Sequence, residues 1–400
     1  MTMGLVDRPG LRTWGYNSLS VLKNKLLLIL SFGHFAVDFY ASFMSLIWPL
    51  LVGPLGLTYG LVGIASTVYT IASSLAQPIF GYLGDRFGSR FLAALGLAWI
   101  ATFMGLIGFV GSYPALLLVV AMIGLGPAAF HPQGAMNTAI VSGRQKASGM
   151  SVFSLGGIAA FSLGPLVGSW LFTTTLGLKS TTLLVVPGLL AALWLYRSML
   201  VIEQHKEATA ETRTNASPAR INLLGLVALI VVISLRAWVF SATTTYIPLL
   251  YKSQDLPLTF SGQLLFLMML AGAVGVFTGG LLADRLGRRR ITALSLFLLA
   301  PATYLFYQSP IVLAPLTGML FGFLGETSLS ITVVMGQELM PRHVGVVSGL
   351  IFGLAFVTGG LGVSLTGLMA DHWGLLPALS VLPVLPLAAA LICLPLPKDA

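Results

Sequence analysis

The chain has 400 residues, of which 56% are hydrophobic and only 8% charged, and its mean hydropathy is +0.94. A soluble domain carries roughly 25% charged residues, so these values exclude a soluble globular protein and point to a chain that spends most of its length in a bilayer. The net charge of +9 would suggest a nucleic-acid partner in a soluble protein, and the single cysteine, Cys393, rules out an intrachain disulfide or a cysteine-based metal centre.

A membrane-spanning helix needs about 20 mostly apolar residues. Runs of that length predict twelve spans, near residues 26–51, 59–82, 90–111, 113–140, 147–172, 180–199, 221–250, 260–283, 290–308, 311–338, 346–370 and 375–396. The expected fold class is therefore an all-α membrane protein. The connections are short except at 201–220, a polar stretch with charges of both signs. It divides the chain into a first half, 1–200, and a second half, 221–400. The first apolar segment is too long for a signal-peptide core and contains Asp38, so no cleaved signal is expected.

With twelve spans, the lysines and arginines fall on one face of the membrane, except Lys179, Lys252 and the intramembrane Arg236. The positive-inside rule places that face, with both termini, in the cytoplasm. The basic balance is thereby a topology signal, and no nucleic-acid partner is expected.

The second span ends in GYLGDRFGSR, residues 81–90, and the eighth in GLLADRLGRR, residues 280–289. Gly81, Asp85, Arg86, Gly88 and Arg90 recur 199 positions later as Gly280, Asp284, Arg285, Gly287 and Arg289. Pro49-Leu50-Leu51 recurs at the same offset as Pro248-Leu249-Leu250. Parallel repeats of this kind are the plan of a carrier in which one bundle rocks against another. Asp85 and Arg86 are expected to open a tight turn at Gly88, the carboxylate capping or pairing with the opposite bundle and the arginines holding the lipid interface. The repeated Gly-x-Leu-x-Asp-Arg-x-Gly core resembles the signature loop of the major facilitator superfamily. That resemblance implies two six-helix bundles, alternating access, and a central cavity lined by spans 1, 4, 7 and 10.

Ionisable residues within spans are costly and usually face a cavity or a partner. Here they fall on those same four spans: His34 and Asp38 on span 1, His131 on span 4, Arg236 on span 7, Glu326 and Glu338 on span 10. His34 and Asp38, four apart, share a helix face. Asp38 and Arg236 lie at matching depth, and either pair with each other across the halves or serve proton and substrate. In the second case an anion on Arg236 would release Asp38 to take a proton. His34 reads either as a packing histidine or as a site residue. His131, in Phe130-His131-Pro132, reads either as a hydrogen bonder stabilising a proline kink or as a site residue. Glu338 is expected at a cytoplasmic gate. His34, Asp38 and His131 are metal-ligand types, but their spacing matches no ligand motif, and no metal is expected.

At finer grain the chain resembles the fosmidomycin-resistance transporters. The residues that carry this are Gly33-His34-Phe35-Ala36-Val37-Asp38, Ser73-Ser74-Leu75-Ala76-Gln77-Pro78, Phe130-His131-Pro132, Gln337-Glu338-Leu339-Met340-Pro341 and Ala370-Asp371-His372. The resemblance covers about 24–397 and brings Gln77 into the candidate site. It implies a proton-driven exporter in the bacterial inner membrane, acting on a small phosphonate antibiotic that is anionic at neutral pH. Arg236 suits such an anion. Glu326 is not part of that pattern. No P-loop is present, so the proton gradient is the expected energy source, with no cofactor, no enzymatic activity and a monomeric carrier. The competing expectation on the same fold is a proton symporter that takes up an organic anion or sugar.

Overall fold

A computed structural model describes residues 23–142, 146–208, 223–339 and 344–396, and within these ranges all regular structure is helical. Eleven helices or helix pairs are long and apolar enough to cross a bilayer. Val344–Trp373, of 30 residues, is a further helix of spanning length. Helices are the expected form because a bilayer offers no water to satisfy backbone N–H and C=O groups.

Four spans are interrupted. Span 1 comprises Lys25–Ser42 and Met44–Leu55, span 2 Tyr59–Leu75 and Gln77–Phe87, span 10 Ala314–Thr327 and Leu329–Leu339, and span 12 Leu375–Val381 and Val384–Cys393. Span 4 (Tyr113–Val141) runs unbroken through Pro127 and Pro132, and spans 7 (Leu223–Lys252) and 8 (Leu258–Leu286) are likewise continuous. Span 6 follows a 3-10 segment, Gly177–Leu184, and runs Val185–Ala208. It therefore continues as helix into the stretch expected to be linker.

The repeated hinge loop is tighter than expected. Asp85 and Arg86 lie inside the last turn of span 2, which ends at Phe87, and Asp284 and Arg285 lie inside span 8, which ends at Leu286. The reversal is made by one residue in each copy, Gly88 (φ 92°) and Gly287 (φ 96°). A side chain is strained at such angles, which explains the glycine in both repeats. The closing arginines anchor inward and do not simply mark the lipid interface. Arg90 donates to the Tyr196 hydroxyl at 3.1 Å and lies 4.5 Å from the ring centroid. Its repeat-mate Arg289 donates to the Leu396 carbonyl at 2.9 Å. Each arginine thus ties the third helix of its half to the sixth. The side chains of Asp85, Asp284 and Glu338 lie outside the described residues, so their expected gate contacts do too.

Small residues let spans pack backbone to backbone. A Cβ added to Gly164 or Gly168 of span 5 would meet Ser42 or Phe43 of span 1. The two halves join along spans 2 and 11, on the side away from Gly88 and Gly287. There Asp371 accepts from the backbone N–H of Tyr59 (2.7 Å) and Gly60 (2.9 Å). The Tyr246 hydroxyl lies 2.9 Å from the Tyr59 carbonyl, and Thr67 donates to the Gly360 carbonyl. Spans 5 and 8 add a second seam, where Gly262 lies against Ser169 and Pro165.

Candidate functional site

Two clusters of ionisable side chains lie inside the helix bundle, one in each half. The first is built on spans 1, 4 and 5. His34 and Asp38 stand one turn apart, with His34 Nε2 3.0 Å from Asp38 Oδ2. His131 of span 4 places its Nε2 3.0 Å from the other oxygen, Oδ1. Span 5 completes the site from below: the Phe153 carbonyl is 2.9 Å from His34 Nδ1, and the Phe153 ring stacks on the imidazole at 4.1 Å between centroids. The Asp38 side chain is only 5% exposed, whereas His131 is 25% exposed.

The hydrogen-bond pattern constrains where protons sit. A carbonyl only accepts, so His34 Nδ1 carries a hydrogen toward Phe153. His34 Nε2 then faces a carboxylate oxygen, and a bare nitrogen against a bare carboxylate would be two acceptors in contact. The geometry therefore holds one proton between His34 Nε2 and Asp38 Oδ2, while His131 Nε2 lies within hydrogen-bonding distance of Oδ1. A buried carboxylate that shares one proton with a histidine can take up or give back that proton as its surroundings change.

The second cluster is built on spans 7 and 10. Arg236 is 4% exposed. Its Nη1 donates to the Gly325 carbonyl at 3.0 Å, and Glu326 Oε1 is 3.7 Å from the same nitrogen. That spacing is an ion pair but exceeds a hydrogen bond. Among the described residues, Arg236 Nε has no hydrogen-bond partner, and it is buried. Span 10 is interrupted at Ser328, two residues beyond Glu326, and the Ser328 hydroxyl is also buried without a partner among the described residues. Opposite Glu326, span 8 presents Gly272, whose added Cβ would lie 3.0 Å from Glu326 Cγ. Interrupted helices near the middle of the membrane recur at carrier binding sites, because they free backbone groups beside the cavity.

Of the two alternatives left open for Asp38 and Arg236, the direct pair is not formed in this structure. Both Asp38 oxygens are taken by histidines, and the carboxylate beside Arg236 is Glu326. The reason is lateral: each acid lies beside a base of its own half, and depth alone carries no information about which helix faces which. In this structure no direct contact links Arg236 to Asp38. His131 bonds to Asp38, so it is not simply stabilising a kink. Gln77 joins neither cluster; its amide donates to the Ser73 carbonyl at 2.9 Å, bridging the interruption of span 2.

Two contributors had little or no sequence signal. Phe153 acts through its backbone and ring, and nothing in its neighbourhood marks it. Gly157 lies where an added Cβ would be 2.8 Å from Asp38 Oδ2 and from His34 Nε2. In the sequence it is one glycine among several in span 5, with nothing that marks it as a site residue.

Comparison with known proteins fits this architecture. The chain is 30% identical over 372 residues to the Fosmidomycin resistance protein of Escherichia coli (strain K12), covering 92% of this chain and 91% of that protein. Its fold superposes on a bacterial homologue of the human lysosomal transporter Spinster in an inward-facing, occupied conformation, with TM-score 0.76 at 14% identity over 93% of this chain and 96% of that one. It also superposes on a D-xylose–proton symporter, with TM-score 0.74 at 14% identity over 92% and 97%. Residues 30–363 match the family model of the Major Facilitator Superfamily, and the chain, with its paired bundles and buried charges, belongs to that family of membrane transporters.

Proposed function

We propose that this protein is a proton-coupled exporter of a small oxyanion, working by alternating access in the bacterial inner membrane with both termini in the cytoplasm. What carries the reading is the placement of two different kinds of charge at the centre of the bundle. The first half holds a proton-sharing carboxylate, Asp38 between His34 and His131. The second half holds a buried guanidinium with an unpartnered N–H, Arg236. A guanidinium presents a planar fork that matches a carboxylate or a phosphonate, and it gains most from such a partner where water is excluded. The likeness to a fosmidomycin resistance protein supports export and an anionic phosphonate. The sealed seam of spans 2 and 11 is one end state of the cycle, closed on the side away from the hinge loops.

A second reading has its own supporting observation. Because Asp38 and Arg236 share no contact, proton and anion are free to be aboard together, which is the condition for symport. The two differ in the sign of coupling. In liposomes with a pH-sensitive dye inside, addition of fosmidomycin or a small carboxylate to one side is expected to move protons opposite to the anion. Movement of both in the same direction would establish symport. Proton movement that survives in both Asp38→Asn and Arg236→Ala would overturn the site assignment.

A further inference from the structure

Glu326 has no task in the proton-sharing cluster, yet it stands in the apolar interior beside a guanidinium that it does not fully satisfy. The Arg236–Glu326 spacing is 3.7 Å, and Arg236 Nε remains buried and unpartnered. Among the described residues, Arg236 of span 7 is the charged group that faces Glu326. Span 8 offers Gly272 there, and the charges of span 9 lie at its far end, at Arg288, Arg289 and Arg290. From this geometry we infer that Glu326 is a built-in stand-in for the transported oxyanion: it neutralises Arg236 when the carrier is empty and yields the guanidinium to the substrate when the carrier is loaded. The inference rests on the proposed role of Arg236 as the anion site.

The physical argument is one of buried charge. A guanidinium this deeply enclosed is costly without a counter-charge. A carrier must pass through an occluded state on every crossing, loaded or empty. In the loaded crossing the substrate supplies the negative charge. In the empty crossing only a protein carboxylate can supply it. A tight, bidentate Arg–Glu pair would shut the substrate out, whereas a loose pair that leaves Nε open gives a bidentate oxyanion an edge to dock on and an advantage over Glu326. The Glu326 side chain is more exposed than Arg236, 16% against 5%, so it is the partner nearer the open space. The class of ligand follows: an acid with at least two oxygens on one centre, a carboxylate or phosphonate, and not a neutral sugar.

The test separates net transport from exchange. Proteoliposomes loaded with radiolabelled fosmidomycin are diluted into buffer without substrate, which requires the empty carrier to return, or into buffer with the same unlabelled compound, which does not. Glu326→Gln is expected to lose net efflux by about a hundredfold, to keep exchange within about threefold, and to bind the anion more tightly than wild type. Glu326→Asp keeps the charge and is expected to retain net efflux. Glu326→Met has the same expected result as the amide variant. If the neutral variants do not fold alone, saturating fosmidomycin should restore them, because the anion replaces the missing charge; failure to restore them overturns the inference. An unchanged ratio of net efflux to exchange in Glu326→Gln, with binding still dependent on Arg236, also overturns it. If Arg236→Ala binds fosmidomycin as wild type does, the anion-site reading itself fails, and this outcome is distinct from the others.

Discussion

Asp371 and Tyr59 join the two halves of the transporter: the Asp371 carboxylate, at the end of span 11, accepts the Tyr59 backbone N–H at 2.7 Å and that of Gly60 at 2.9 Å. It thereby caps the N-terminus of span 2 from the opposite bundle. Helix N-termini present unsatisfied N–H groups and partial positive charge, so a carboxylate there is favourable. Among the described residues the repeat does not reproduce this bond: the matching helix, span 8 (Leu258–Leu286), has Pro257 at its N-cap and no side-chain cap. The contact is therefore a feature of one seam and not of its repeat.

Asp371→Ala should shift the carrier toward the state open on this side. Loss of a capping carboxylate costs about 1 kcal/mol, which corresponds to about a fivefold change in the ratio of the two states. Spin labels at Gly111→Cys and Ser253→Cys, in a Cys393→Ala background, would report it as a growing population at the longer distance. An unchanged distance distribution would show that the seam closes without this contact.

A glycine in the same seam should act more strongly. An alanine Cβ at Gly63 would lie 2.7 Å from the Ser364 Cα and 2.9 Å from the Val363 carbonyl oxygen. These are backbone atoms of the other half and cannot rotate away. Overpacking of this kind costs about 1–3 kcal/mol, and separating the bundles relieves it. Gly63→Ala is therefore expected to raise the rate at which an impermeant maleimide labels Thr70→Cys from that side. Slower or equal labelling would contradict the packing described here.

Gly157→Ala probes the proton-sharing cluster without removing any of its polar groups. The new methyl would compete for the space of Asp38 Oδ2 and His34 Nε2, each 2.8 Å away. Strain of about 1–3 kcal/mol at this point should reduce pH-gradient-driven transport at least about fivefold, while fosmidomycin binding at Arg236 changes little. Equal loss of binding and of coupling would mean that the two clusters are not separate sites.

Arg236→Ala removes the guanidinium and leaves Glu326 without its ion-pair partner. Truncating one member of a buried charge pair typically costs about 2–5 kcal/mol, so the dissociation constant for fosmidomycin should rise at least about thirtyfold in titration calorimetry. Arg236→Lys restores the charge but not the planar fork, and is expected to recover only part of the affinity. Full recovery would show that a point charge suffices and that bidentate docking has no part in recognition.

The charged residues of the interior were legible along the chain because each is conspicuous against an apolar background. Their helices were legible for the same reason, and the twin loops at Gly88 and Gly287 because the repeat prints the same glycine twice. Pairing was not legible in the same way. Asp38 and Arg236 stand at matching depth, and depth follows from counting residues along a span. Which base sits beside Asp38 depends on helix rotation and neighbour identity, set by packing residues such as Gly157 and Phe153 that carry no charge.

Read along the chain, the residues already indicate about twelve membrane crossings, a duplicated carrier and a few ionisable groups within the spans. Those properties follow from hydrophobic length, from internal repetition and from the cost of charge in a bilayer, all of which are one-dimensional. The folded chain alone shows that Asp38 is divided between two histidines, that Arg236 is left to Glu326, and that Asp371 sits on the N-terminus of span 2. Each of these depends on contacts between helices distant in sequence, whose relative rotation is fixed by close packing of small residues and not by the pattern of any one segment.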